Sequence, residues 1–331
     1  MAFDNIKLEK GLYSTGKTFT QALEEIDPSE NYRGTSLEGL DAYERQLKRF
    51  DIKVADSNSD PVSKFFATTD SAALFPEYVS RAVKLGITDS NKVDSIVATT
   101  TEIDSMDYRS ISTSNNVDDF NLANVNEGAA LPELNLKLKN KLTKLQKHGK
   151  MLVASYEAIK FQKLDLFTIT LKQIGEHIAN SEFNQAVKSI LDNNGSLIFT
   201  SSANKYTYDD LVEAWTEFFP HNMTTFITGR MAVKNLLTIP EFIDAAAGMN
   251  FHSTGNIGTP FGAEVYLTDE ITSNDIIVMD KNYAIEKVQA GGVITEFDKL
   301  IDRQLERATI STITGFSPIY DDAAMIIQSA N

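Results

Sequence analysis

The chain has 331 residues, 42% of them hydrophobic, enough to fill one or two cores; it has no cysteine, which excludes disulfides, thiol nucleophiles and zinc–thiolate sites. Its 46 acidic against 31 basic residues give a formal charge of −15. That balance opposes the phosphate-neutralising surface of a nucleic-acid binder, but suits a surface that encloses nucleic acid without adhering to it.

No run of 18 apolar residues is available to cross a membrane, and the opening MAFDNIKLEK lacks the apolar stretch of a secretory signal. No membrane partner, and retention in the compartment of synthesis, are therefore expected. Residues 1–58 are polar and loosely periodic. Residues 18–26 and 36–50 read as two short helices separated by turn residues, and neither has the apolar surface to stand alone. An N-terminal arm is predicted, lying on the same chain or on a neighbour. Residues 56–61 read as a linker, after which short helices start at Asp70 or Ser71 and at Pro76, the second running to Gly86.

Residues 97–111 are rich in Thr, Ser and Ile, as strands are, and 112–127 form a polar, Asn- and Asp-rich tip. Residues 134–139 alternate strictly, with Leu134, Leu136 and Leu138 on one face and Asn135, Lys137 and Lys139 on the other. With Lys141, Lys144, Lys147 and Lys150 this is the basic segment of an acidic chain. Residues 151–156 are strand-like again. A projecting hairpin over 97–160 is predicted; such a hairpin is marginal alone in water, so its leucine face requires a partner. The lysine strip has three readings: a solvated strand face, a contact with acidic surfaces of neighbouring copies, or a nucleic-acid patch, the last lacking interleaved aromatics and arginines.

Residues 163–194 read as one helix of about 30 residues. Leu164, Phe167, Leu171, Ile174, Ile178, Phe183, Val187 and Ile190 form its buried stripe, Asp165 sits at its start, and Gly175 is its interior break and the expected place to bend. Beyond Gly195 the pattern is mixed α/β. Thr207 and Asp210 resemble a capping box opening a helix with Leu211, Trp215 and Phe218, and Pro220 ends it. A strand at 223–228, helices at 230–237 and from 239, a glycine-rich loop at 248–262, and strands at 264–268, 276–279, 283–290, 293–297, 308–314 and 323–327 complete the chain.

Gly11, Gly16, Lys17 and Thr18 satisfy the phosphate-loop pattern G-x-x-x-x-G-K-[ST], and 276–280 imitates its acidic partner strand. That loop must follow a buried parallel strand, whereas residues 5–10 alternate like an exposed edge, so a nucleotide-binding enzyme is the rejected alternative. His148, His177, His221 and His252 show no metal-ligand spacing, no G-x-S-x-G elbow is present, and the pairs Asp118–Asp119 and Asp321–Asp322 lie in turn-like sequence. No catalytic, cofactor-binding or metal-binding residue is assigned.

Five stretches, ALFPEYVSRAV (73–83), GAALPELNLKL (128–138), HGKMLVASYEAI (148–159), IGEHIANSEFNQAV (174–187) and ATISTITGFSPIYDDAAMII (308–327), are similar in order to the major capsid proteins of tailed bacteriophages, whose shell fold encapsulins share. The resemblance covers most of the chain from about residue 60. It implies an α+β subunit with an N-terminal arm (1–58), a peripheral domain with a long spine helix (59–96, 161–194 and 281–331), an extended loop (97–160) lying across the adjacent subunit, and an α/β axial domain (195–280). Leu134, Leu136, Leu138, Lys137, Lys139 and Lys141 would then be intersubunit contacts. It further implies a structural protein, not an enzyme, that self-assembles through pentamers and hexamers into an icosahedral virion shell around double-stranded DNA in the host cytoplasm. Separate scaffold, portal and decoration proteins are its expected partners. An encapsulin-like compartment shell is the alternative. Only about 58 residues precede the body, so no cleaved prodomain is expected, and with no matching asparagine and glutamate, no covalent cross-link.

Overall fold

The computed structural model describes residues 2–14, 17–56, 58–112, 124–129, 131, 133, 137–140, 142–155, 161–193, 196–201, 205–243, 260–300 and 305–329. Helices α1 (Phe19–Ile26), α2 (Ala42–Arg49), α3 (Thr69–Ala72) and α4 (Phe75–Asp89) come first. Strands β1 (Thr99–Glu102), β2 (Asp107–Tyr108), β3 (Ile111–Ser112), β4 (Lys137–Leu138), β5 (Thr143–Lys144) and β6 (Gln146–Ser155) lead to the long helix α5 (Leu164–Leu191). Then follow β7 (Leu197–Thr200), α6 (Tyr208–Glu217), β8 (Thr225–Thr228), α7 (Arg230–Leu237), α8 (Pro240–Ile243), β9 (Glu264–Leu267) and β10 (Ile276–Met279). Strands β11 (Ile285–Gln289), β12 (Ile294–Leu300), β13 (Leu305–Pro318) and β14 (Ala324–Gln328) close the order. Two compact units result: 1–90 with 148–179 and 293–312, and 91–147 with 180–292 and 313–331.

In the first unit the N-terminal arm is part of the core. Ile6, Leu8, Phe19, Leu23, Tyr43 and Leu47 pack with Phe65, Leu74, Val83, Leu164 and Leu171. The periodicity understated this because much of the arm's burial is polar. Arg45 is fully buried; its guanidinium donates to Asp27 Oδ2 (2.9 Å), Ser29 Oγ (2.9 Å) and the carbonyls of Leu40 (2.7 Å) and Asp27, and lies 4.4 Å from the Tyr32 ring centroid. A buried charge is tolerable only when so paired. Helix α2 begins at Ala42 and not at 36, because Gly39 adopts φ +84° and Asp41 with Glu44 forms the capping box. Residues 5–10 are not the edge strand expected but 3₁₀ and irregular backbone, bent so that Ile6 and Leu8 enter the core.

The expected linker at 56–61 is likewise tied down. Asp60 accepts from Lys53 N (2.8 Å) and Lys64 Nζ (3.0 Å), and its carbonyl accepts from Leu164 N (2.9 Å). Gly175 has a packing reason that its sequence context hides. A Cβ there would lie 2.3 Å from the Val83 carbonyl oxygen, and one at Gly86 would lie 2.2 Å from that of Lys172, so α4 and α5 touch backbone to backbone at reciprocal glycines. Tyr78 fixes the same pair of helices, its hydroxyl 2.8 Å from the Leu164 carbonyl and 2.6 Å from Thr168 Oγ1, and burial pushes its pKa up to about 12.

In the second unit a mixed sheet, β7-β14-β10-β8-β9, is covered on both faces. Ile227, Ile277, Met279, Ala324 and Ile326 join Phe183, Val187 and Ile190 of α5 on one side. Their sequence neighbours Phe226, Ile276, Val278, Met325 and Ile327 join Leu211 and Phe218 on the other. Two buried faces explain why β10 and β14 read as unbroken apolar runs. The last strand, β14, pairs parallel to β7 and antiparallel to β10 and so lies within this sheet. Adjacency in sequence to β13 gave no sign of this pairing.

Two outcomes follow for the first unit. Gly175→Ala should lower stability by about 1–3 kcal/mol despite alanine's better helix propensity, because the methyl meets backbone; equilibrium denaturation reads it. The second concerns pH. Burial opposes ionisation of Asp60 and Glu24, but hydrogen bonds from Lys53 N and Lys64 to the first, and from Ser29, Ala42 N and nearby Arg45 to the second, outweigh it and hold both carboxyls below their ordinary values. A lowered folded pKa gives stability that is present above the unfolded value, about 4, and lost as pH falls through the folded one. Melting temperature should therefore drop below about pH 4, and Asp60→Asn should lower it at neutral pH while shallowing that acid slope.

Candidate assembly surface

The hairpin is recognisable in its described residues. β2 pairs antiparallel with β5 (Asp107↔Lys144, Tyr108↔Thr143) and β3 with β4 (Ile111↔Leu138, Ser112↔Lys137). Lys139 N donates to the Ser110 carbonyl at 2.8 Å and Leu145 N to that of Met106 at 3.0 Å, each extending one ladder by a step. Between the two ladders the returning strand spans two residues more than the outgoing one. Ile111 and Leu138 stand directly opposite each other and remain 54% and 64% exposed. A two-stranded ladder has no third layer to cover them.

The root of this hairpin is rigidly held. Glu286 on β11 is buried, and its carboxylate accepts from Thr101 Oγ1 (2.5 Å), Tyr108 OH (2.9 Å) and Ser110 Oγ (2.8 Å). Three hydroxyls thus converge on one acceptor that has no cationic partner among the described residues. Burial, then the bond to Glu286, raises the Tyr108 pKa and keeps the phenol a donor. β1 lies parallel to β11, with Thr100 opposite Lys287, and Lys287 pairs with Glu182 of α5 at 3.1 Å. On the returning strand Lys139 donates to the Pro318 carbonyl (2.9 Å) and lies 3.6 Å from Asp321, which also receives Asn193 Nδ2 at 3.1 Å.

Of the six residues assigned from the resemblance, Lys137 and Leu138 are exposed on β4, whereas Lys139 is turned inward against Pro318 and Asp321. Leu134, Leu136 and Lys141 lie outside the described residues. Ile111 and Glu286 were not singled out by sequence. Ile111 carries only the weak signal of an isolated apolar residue among serines, and Glu286 lies far along the chain from the hydroxyls it collects.

The phosphate-loop match has neither context nor partner. Residues 10–14 form a 3₁₀ turn that follows no strand, and Lys17 is engaged by Glu25. Asp280, at the end of the imitated acidic strand, is buried and accepts from Asn222 N (3.0 Å), Asn282 N (3.0 Å) and Asn282 Nδ2 (3.1 Å), which closes a turn. His221 lies 3.4 Å from Asp322; His252 lies outside the described residues. Among the described residues no cluster of metal-ligating side chains occurs, and no helix is long and apolar enough to cross a membrane.

The sequence profile of the phage capsid protein family matches residues 139–316. No curated protein matches the chain. In fold, it is similar to a virus-like particle from Pyrococcus furiosus (TM-score 0.53, 14% identity, 76% of this chain and 98% of that one). It is also similar to the capsid of an empty GTA particle (0.55, 13%, 73% and 90%) and to the capsid of Cyanophage P-SCSP1u (0.54, 12%, 72% and 88%). An encapsulin from Synechococcus elongatus PCC 7942 has the same fold. Glu286→Ala should cost about 1–3 kcal/mol for the hydroxyls left unpaired; loss of hydrogen-exchange protection at 99–110 with little change in the lobe sheet would locate the effect.

Proposed function

We propose that this chain, which belongs to the phage capsid protein family, assembles through pentamers and hexamers into an icosahedral shell around double-stranded DNA. Its role in the virion is structural, and its fold is that of capsid subunits. The observation that carries the assembly reading is the uncovered Ile111–Leu138 pair on a hairpin that is anchored at its root and has no cover of its own. An adjacent subunit supplies that cover. Such a contact joins two different surfaces, so it repeats head to tail and closes into rings.

In this reading residues 97–155 form the extended loop, α4 and most of α5 with β12 and β13 the peripheral part, and 196–280 with β14 the axial lobe. The excess of carboxylates keeps the inner wall from adhering to packaged DNA, since like charge disfavours contact. Many modest interfaces summed over copies do the work, with no chemical step. Assembly in the host cytoplasm is guided by a separate scaffold protein or by none, and a portal and decoration proteins are the further partners open to such a shell.

Electron microscopy of the purified particles tests this directly. Angular shells containing DNA are expected; small protein-loaded spheres would instead identify a compartment, and a small oligomer would end the shell reading. Ile111→Asp combined with Leu138→Asp should leave a soluble subunit with an unchanged melting curve that forms no shells. Normal shells from that variant would mean that the hairpin grips no neighbour.

A further inference from the structure

Beside the returning strand lies an open groove of about 770 Å³, walled by β4 and β5, the last turns of α5 and the end of β13. Lys137, Lys144 and Lys188 line it, and among the described residues none of the three has an ion-pair partner. The two acids in its wall do not neutralise it: Asp321 is taken by Lys139 and Asn193, and Asp192 stands alone against three free cations. Leu138 and Leu142 add an apolar lip, 64% and 37% exposed. The groove thus presents positive charge and apolar surface together, on a chain whose net charge is −15.

One exposed surface of the same chain has the complementary character. On α6, Asp209, Glu213 and Glu217 recur every four residues, all exposed and without ion-pair partners among the described residues. Trp215 and Phe219, 52% and 82% exposed, flank the same helix end. Successive residues turn by about 100°, so the three acids share one flank of α6 and Trp215 stands on the opposite one, which leaves the acids as a stripe of a single charge.

We infer that the lysine groove of one copy receives the acidic flank of α6 from a second copy. The inference rests on the shell reading and specifies one of its contacts. Glu213 and Glu217 meet Lys137, Lys144 and Lys188. The contact is heterologous, so each copy both offers a groove and fills one. It also accounts for basic residues concentrated in one segment of an acidic chain.

Assembled wild-type particles made from mixed light and ¹⁵N-labelled subunits are treated with a carbodiimide, which joins carboxylates to amines only in direct contact. Mixed-isotope cross-links between Glu213 or Glu217 and Lys137, Lys144 or Lys188 are expected. Their absence, while other inter-copy links form, overturns the inference. In parallel, Lys137→Glu with Lys188→Glu should cut particle yield about tenfold or more through like-charge contact, with the subunit's melting curve unchanged, and Glu213→Lys with Glu217→Lys should restore it. Undiminished yield from the lysine variant overturns the groove, and failure of the restoring pair overturns α6 as its occupant. A wild-type chain that forms no particles would instead fail the shell reading itself.

Discussion

A two-stranded ladder offers apolar side chains no interior, and this constraint organises the second unit. The central strands there have been given two layers: the residues of β8, β10 and β14 alternate between a face packed by α5 and a face packed by α6 and α7. Along β3 and β4, by contrast, the chain places Ile111 opposite Leu138 with nothing above them among the described residues. Burying a side chain of that size is worth about 1.5–3 kcal/mol, comparable to a sizeable part of a domain's net stability. Leaving two uncovered forgoes that gain within the subunit, and the neighbour proposed above would recover it.

An exposed hairpin is useful as a grip only if its root does not move. Glu286 serves this purpose by an unusual route, since a buried carboxylate with no cationic partner among the described residues is stabilised here by three converging hydroxyls. Hydrogen bonds to a charged acceptor are among the stronger ones, and they restrain both β1, through Thr101, and the outgoing arm of the hairpin, through Tyr108 on β2 and Ser110. On the returning side Lys139 clamps to Pro318 and Asp321. The two restraints hold opposite strands, so the hairpin leaves the body at a defined angle while its outer surface stays free to meet a neighbour.

Much of this was legible locally. The box of Thr207 and Asp210, the helix from Arg230 to Leu237 and the strand from Ile276 to Met279 follow from capping chemistry and apolar runs, which act over a few residues. The long helix was legible from its stripe. What escaped depends on contacts distant in sequence. Arg45 looks like a surface residue until Asp27, Ser29 and Leu40 close around it, and Gly175 looks like a weakness until Gly86 is seen against it. The candidate surface divides in the same way: alternation exposed the leucine and lysine faces, but nothing local indicated that Lys139 would turn inward or that Ile111 would stand beside Leu138.

Charge links the subunit's surface to what a shell must do. An acidic wall repels a polyanion and lets it pack without sticking, yet the same charge spread evenly would push subunits apart. Surface ion pairs are individually weak and screened by salt, so the repulsion cannot be overcome by scattering lysines. Concentrating them helps, because pairs that are partly desolvated within a groove lose less to screening and specify one partner over another. The segment from Lys137 to Lys150 is such a concentration, and it lies on the hairpin, the element whose uncovered residues already demand a neighbour. Attraction and apolar burial then act at the same place, and repulsion is left to the surfaces that should not touch.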